Sequence, residues 1–348
     1  MKKTEIENIN IQCEDPIITP DALKALHPLT DDMIATVQNG QATIRNILNG
    51  TDHRMLVVSG PCSIHDIEAA NEYADRLKQL ADELNDKLFL IMRVYFEKPR
   101  TTTGWQGLVI DPFLDDSCQI EEGLKLARKL LSSIARKGLP AAGEALDIVT
   151  PPFIQDLFSW TAIGARTTES QSHRKMASAL TAAVGFKNGT DGNIDIAINA
   201  MQSVAAPHNF VSINPQGRVS VIRTTGNPNT HLILRGGKAP NYSRSHIAEY
   251  EQKLIAAGFP PRIMVDCSHA NSDKVPENQA AVLDDVTAQK QNGNTSIIGI
   301  MLESNLNAGS QTIPQDLSSL KYGVSITDSC IDWATTAQLL RKLHRDLP

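Results

Sequence analysis

Short apolar runs of β type recur along the chain, and each is followed by a stretch in which apolar residues return every three or four positions. The runs cover residues 55–58, 88–95, 141–144, 162–165, 183–186, 231–234, 263–266 and 297–302. The helical stretches between and after them cover 66–84, 121–137, 152–160, 171–182, 191–204, 243–257, 277–291 and 332–346. Within 121–137, for example, Leu124, Ala127, Leu130, Leu131 and Ile134 fall on one helical face, and Gly138 suits a C-cap. Gly258 and Gly293 close two later helices in the same way. Strands and helices alternating eight times predict an α/β fold, a closed parallel (β/α)8 TIM barrel rather than an open doubly wound sheet. Two pieces stand outside the repeat. Residues 1–50 carry Pro16, Pro20 and Pro28 and then a helical pattern over 31–48, while 208–226 read as a hairpin turning at Pro215-Gln216-Gly217. The expected organisation is an N-terminal extension over 1–50 and a barrel over 51–348, with the hairpin inserted at 208–226.

Composition narrows the function classes. A 348-residue chain that is 41% hydrophobic and 21% charged can bury a large core. Its 33 Lys plus Arg against 39 Asp plus Glu give a net charge of −6, so no general nucleic-acid binder is expected. Apolar stretches such as 88–92 are far shorter than the roughly 18 residues needed to span a bilayer, and residues 1–5 offer no apolar signal segment. Five cysteines, at 13, 62, 118, 267 and 330, form no CxxC pair, which suits a reducing cytoplasm.

In a barrel the loops after the strands meet at one face, so a residue just past each strand reaches a common pocket. Those positions hold Cys62, then Arg93 with Lys98 and Arg100, then Glu144, Arg166, Lys187, Arg235, His269 and Glu303, with Asp328 in a later polar loop. Six cations in one cleft of a net-negative chain imply one or two phosphorylated or carboxylated ligands, since Arg forks match paired anionic oxygens. The competing reading pairs each cation with a nearby acid. Cys62, His269, Glu303 and Asp328 offer a thiolate, an imidazole and two carboxylates, a mixed set suited to one divalent ion, Mn, Fe, Co or Zn. Against that stand a Cys62 buried as a small hydrophobe and a His269 bonded to backbone. Cys267 and Cys330 compete for the thiol role, but Cys267 sits within its expected strand and should point away from His269. Neither a G-x-x-x-x-G-K-[ST] loop nor a helix-opening G-x-G-x-x-G is present, which disfavours an NTPase or a Rossmann dehydrogenase.

Longer words carry more. Gly60-Pro61-Cys62-Ser63-Ile64-His65-Asp66, the run from Arg93 through Tyr95-Phe96-Glu97-Lys98-Pro99-Arg100 to Thr102, and Gly164-Ala165-Arg166-Thr167-Thr168-Glu169-Ser170-Gln171 stand in that order. They are followed by Gly185-Phe186-Lys187-Asn188-Gly189, Leu234-Arg235-Gly236-Gly237-Lys238 and Tyr322-Gly323-Val324-Ser325-Ile326-Thr327-Asp328. From about residue 14 onward the chain resembles the type I 3-deoxy-D-arabino-heptulosonate 7-phosphate (DAHP) synthases, which join phosphoenolpyruvate to erythrose 4-phosphate in the first step of the shikimate pathway.

The resemblance implies roles for positions already singled out. Cys62, His269, Glu303 and Asp328 match the family's metal ligands. Arg93, Lys98, Glu144, Arg166, Lys187 and Arg235 match its phosphoenolpyruvate pocket, and Arg100 with Thr101 its erythrose 4-phosphate side. The expected chemistry is attack of phosphoenolpyruvate C3 on an aldehyde polarised by the divalent ion, with Lys98, Glu144 and His269 at the reacting atoms and loss of phosphate. A feedback site for an aromatic amino acid is implied at Ile148, Pro151, Pro152, Leu180, Thr181, Phe210, Ser212 and Ile222, beside the N-terminal tail of a neighbouring subunit in a homo-oligomer, dimer or tetramer. Ser212 in place of the glycine usual in tyrosine-sensitive forms favours phenylalanine as inhibitor, with tyrosine next. Two other readings are a related phosphoenolpyruvate-dependent sugar-acid synthase and a catalytically silent barrel that binds aromatic amino acids.

Overall fold

The computed structural model describes residues 6–100 and 102–348. Eight strands close into a parallel barrel: β1 (Met55–Gly60), β2 (Leu88–Arg93), β3 (Ala141–Glu144), β4 (Trp160–Ile163), β5 (Ala183–Lys187), β8 (Thr230–Leu234), β9 (Ile263–Asp266) and β10 (Ile297–Glu303), with β1 paired to both β2 and β10. The order around the barrel follows the chain, and an antiparallel hairpin, β6 (Asn209–Ile213) and β7 (Val219–Arg223), leaves it between β5 and β8. Helices α3 (Ile67–Glu83), α4 (Ile120–Arg136), α6 (Gln171–Ala177), α7 (Asp195–Ala205), α8 (Arg244–Ala256), α9 (Gln279–Gln291) and α10 (Trp333–Asp346) form the surrounding ring, while α5 (Pro151–Ile154) is a single turn. Gly138, Gly258 and Gly293 follow α4, α8 and α9 with φ of +73°, +85° and +87°, the left-handed C-caps that the sequence predicts. Among the described residues no helix is long and apolar enough to cross a membrane.

The core has two layers. One lies between the sheet and the helical ring, where Leu124, Leu130 and Ile134 of α4 are buried. The other fills the barrel itself with Leu56, Val58, Ile91, Trp160, Ile233 and Met264. Helix α2 (Asp31–Asn49) contributes Ile44, Ile47 and Leu48 to this inner layer, so the expected extension plugs the barrel rather than merely decorating it. A short helix, α1 (Pro20–Leu26), forms ahead of it within the proline-rich stretch. Pro20 sits at its first turn and Thr19 Oγ1 accepts from the Ala22 amide at 3.3 Å.

Several expected boundaries move, each for a local reason. Strand β4 begins at Trp160, two residues before the expected 162, because the indole is a barrel-filling side chain rather than a helix end. The helix expected over 152–160 is α5 followed by a 3-10 turn at Gln155–Leu157. Helix α6 stops at Ala177 instead of 182: Asn227 Nδ2 donates to the carbonyls of Leu180 and Ala182, which pins that segment outside the helix. Helix α7 starts at Asp195 instead of 191. Asp191 Oδ1 accepts from the Asn193 amide and Asn193 Oδ1 from the Asp195 amide, two successive Asx turns that compete with helix.

Candidate active site and metal centre

Arg93, Glu144, Lys187 and Glu303 are the last residues of β2, β3, β5 and β10, and Arg166, Arg235 and His269 lie three, one and three residues past β4, β8 and β9. All seven, together with Lys98, Arg100 and Asp328, line one cavity of about 400 Å³ at the carboxyl ends of the strands. Thr101 lies outside the described residues. Gly164 clears the space for this convergence, since a Cβ there would collide with the Glu144 carboxylate.

The cations divide into two groups. Arg93 is only 1% exposed, donates to Glu303 Oε1 at 2.8 Å and to the carbonyls of Pro61 and Cys62, and stacks 3.5 Å from the centre of the Tyr95 ring. Lys187, also buried, donates to Asp266 Oδ2 at 2.9 Å. Arg166 and Arg235 form no ion pair with a described carboxylate, so the reading in which every cation is matched by a nearby acid fails for these two. Burial and the neighbouring Arg166 together disfavour the charge on Arg235, with Asp266 opposing them. A part-buried Arg235 beside a second, exposed guanidinium suits an anion bound between them.

The sulfur of Cys62 and carboxylate oxygens of Glu303 and Asp328 all lie within 4.8 Å of one another, with Cys62 Sγ 3.5 Å from Asp328 Oδ2. His269 is not within that spacing of all three but adjoins them, its Nε2 3.8 Å from Glu303 Oε1. Its ring is held from behind: Nδ1 lies 2.7 Å from Ser268 Oγ and 3.0 Å from Asp266 Oδ2, which leaves Nε2 facing the cavity. A carboxylate behind a ligating imidazole is the usual support of a metal-bound histidine. The backbone of His269 is left-handed, with φ +58°, a strained state for a non-glycine residue that the surrounding contacts hold in place. These donors fit a divalent ion of borderline softness.

Lys98 reaches the same cluster, its Nζ 3.1 Å from Cys62 Sγ and 3.3 Å from the Cys62 carbonyl. Burial pushes the Cys62 thiol up and Glu303 adds to that, while Lys98 and Arg93 act in the opposite sense. Burial also acts to raise the Asp328 carboxyl, but Lys98 and His269 outweigh it and hold the group below its ordinary value. Cys330 is fully buried, with its sulfur 3.7 Å from the Asp328 carbonyl, and Cys267 sits just past β9 rather than within it, in the outer core.

Sequence reasoning missed Asp266, Ser268 and Tyr95. Asp266 carried the same signal as the others, a charged residue ending an apolar strand, but was absorbed into the strand itself. Tyr95 is 2% exposed, lines the cavity, and its hydroxyl has no partner among the described residues.

The positions expected for a feedback site fall into two neighbourhoods. Pro151 and Leu180 line a small apolar cavity shared with Glu97, Glu144 and Thr150. On the hairpin, Phe210 pairs with Ile222 and Ser212 with Ser220, so these four share one half-buried face. Ile148, shortly before Pro151 and Pro152 in sequence, is 42% exposed, and Thr181 is exposed next to Leu180.

Residues 32–341 match the model of the DAHP synthetase I family. The chain is 54% identical over its full length to the Tyr-sensitive phospho-2-dehydro-3-deoxyheptonate aldolase of Escherichia coli K12, covering 98% of that protein. It is 51% identical to the Phe-sensitive one of the same organism, with 97% of this chain and 96% of that one aligned. The solved structure of phospho-2-dehydro-3-deoxyheptonate aldolase from Francisella tularensis SCHU S4 superposes with a TM-score of 0.95 at 45% identity, covering 97% of this chain and 98% of that one. Family model, full-length relatives and barrel geometry agree, and the chain belongs to the DAHP synthetase I family.

Proposed function

We infer that the chain is a 3-deoxy-7-phosphoheptulonate synthase that condenses phosphoenolpyruvate with erythrose 4-phosphate and water to give DAHP and phosphate, assisted by one divalent ion. The observation that carries this is the pair of unmatched guanidiniums, Arg166 and Arg235, opening onto the same cavity as Lys98, Lys187 and the cluster of Cys62, Glu303 and Asp328. Arg93, Arg166, Lys187 and Arg235 bind and orient the carboxylate and phosphate of phosphoenolpyruvate, while Arg100 receives the phosphate of erythrose 4-phosphate, with Thr101 beside it. Cys62, His269, Glu303 and Asp328 would hold the ion, which when bound polarises a carbonyl oxygen as a Lewis acid. A bond forms between C3 of phosphoenolpyruvate and the aldehyde carbon, water adds at C2, and phosphate leaves. Glu144 holds that water, and Lys98 stabilises or protonates the oxygen that gains charge. His269, held at Nδ1 by Asp266 and Ser268, would present Nε2 as one of the ion's ligands beside that oxygen.

The deciding experiment is release of phosphate from phosphoenolpyruvate with and without erythrose 4-phosphate, repeated after EDTA. Release that depends on the sugar phosphate and is abolished by the chelator is expected. Release with arabinose 5-phosphate instead would favour a related sugar-acid synthase, and no release with either would favour a silent binding barrel.

Feedback inhibition by an aromatic amino acid is proposed at Pro151, Leu180 and the inner face of the hairpin. The resemblance, with Ser212 where tyrosine-sensitive forms usually have glycine, supports phenylalanine over tyrosine, whereas relatives named Tyr-sensitive and Phe-sensitive are similar to the chain at 54% and 51%. The outer hairpin face supports a homo-oligomer: Val211, Val219 and Val221 are exposed to 68%, 78% and 57%, and Ile6 and Ile9 of the extension are also exposed. Titration of phenylalanine, tyrosine and tryptophan in the activity assay tests the first reading, and light scattering tests the second.

A further inference from the structure

Asp266 closes β9 fully buried, and beyond backing the His269 ring it has no role assigned above. It nevertheless touches both halves of the site. Its Oδ2 accepts from Lys187 Nζ at 2.9 Å and lies 3.0 Å from His269 Nδ1. Its Oδ1 accepts from the Ser268 amide at 3.1 Å and from Ser268 Oγ at 2.7 Å, and its backbone carbonyl accepts from Asn271 Nδ2 at 2.9 Å. With Oδ1 fixed in this way, the carboxylate cannot turn toward one partner of Oδ2 without loosening its hold on the other.

We propose that Asp266 is a positioning residue that couples the anion pocket to the metal centre, so that phosphoenolpyruvate and the divalent ion strengthen each other's binding through one shared carboxylate oxygen. The inference rests on the assignment of Lys187 to the anion and His269 to the ion made above. An anion that draws the Lys187 ammonium toward itself leaves Oδ2 to His269 Nδ1–H alone. A stronger hydrogen bond at Nδ1 makes Nε2 the better donor to a metal ion. In the other direction, an ion on Nε2 strengthens the Nδ1–H···Oδ2 bond and releases Lys187 toward the anion. Linkage requires the two effects to be equal. Direct attraction between a cation and an anion in the same cleft also favours joint binding, but it does not pass through Asp266 and survives its neutralisation.

The test is calorimetric titration of Mn2+ into the metal-free full-length protein, with and without saturating phosphoenolpyruvate and with no sugar phosphate present. In the unaltered protein phosphoenolpyruvate is expected to tighten Mn2+ at least about fivefold. Asp266→Asn should weaken Mn2+ itself about 10–100-fold and cut the tightening factor by at least half. Ser268→Ala keeps the charge of Asp266 but removes the Oγ hydrogen bond to Oδ1 and leaves only the amide to hold it, so it should also lower the factor; it carries the test alone if circular dichroism finds Asp266→Asn unfolded. A merely structural role would weaken both ligands and leave the factor unchanged in every folded variant, which overturns the proposal. An unaltered protein that binds no Mn2+ overturns the metal-centre reading itself, a distinct result.

Discussion

Lys98 Nζ sits 3.1 Å from Cys62 Sγ, although one belongs to the loop after β2 and the other to the loop after β1. The ammonium is thereby aimed at the same few ångströms as the clustered donors. Burial disfavours its charge, but Cys62 and Glu303 outweigh that and hold the amine above its ordinary value. Lys98→Met keeps the stem and removes the charge. Turnover should fall by about 100-fold or more while the melting temperature changes little. Steady-state kinetics with circular dichroism melting checks both halves.

Arg166 and Arg235 present the opposite case: neither pairs with a described carboxylate, and burial disfavours the charge of Arg235. Arg166→Ala should leave the ligand-free protein as stable as before or slightly more so. Its affinity for phosphoenolpyruvate should drop about 10–100-fold, the range for loss of hydrogen bonds to a charged group. The thermal shift produced by added phosphoenolpyruvate should shrink accordingly. A large loss of ligand-free stability would mean that the guanidinium is structural.

Glu97, 7% exposed, links the Lys98 loop to the segment before α5: Oε1 accepts from Thr150 Oγ1 at 2.8 Å and Oε2 from the Asp147 amide at 3.4 Å. Burial pushes its carboxyl up to about 7, against the two hydrogen bonds that favour the ionised form. The folded state therefore binds a proton that the unfolded state has lost between about pH 4.5 and 7, so this group's contribution declines as pH rises through that window. Glu97→Gln should be more stable than the unaltered protein at pH 8, by up to about 3 kcal/mol. That advantage should disappear near pH 4.5. Melting temperatures of both proteins across this range test the sign.

The barrel and its functional mouth were legible in the sequence for one reason. In a parallel barrel a strand's end fixes where the next residues go, so counting strands also locates Arg93, Glu144, Lys187 and Glu303. What escaped depended on contacts distant in sequence. Nothing near Asp266 announces Lys187, 79 positions away, as its partner. The early stop of α6 depends on Asn227, and the role of α2 in filling the barrel depends on strands that follow it. The positions expected for a feedback site are scattered: two line a cavity with Glu144, while three others lie on the hairpin.

His231 tests the barrel interior in the same currency of pH. It is fully buried in β8, where Trp160 Nε1–H donates to its Nε2 at 2.9 Å and the proton on Nδ1 faces the Leu232 carbonyl at 3.2 Å. Burial pushes its pKa down to about 4, so the folded ring stays neutral while the unfolded one begins to protonate near 6.5. Here the unfolded state binds more protons, and stability falls as pH drops from 6.5 toward 4, by up to about 3 kcal/mol in all. His231→Leu removes that slope but leaves the indole N–H of Trp160 without an acceptor, at a cost of about 1–3 kcal/mol near pH 7. The variant should be the less stable protein at pH 7.5 and lose less on acidification, so that the two stability curves converge by pH 4.5. Parallel curves in urea titrations at several pH values would place the protonation elsewhere in the molecule.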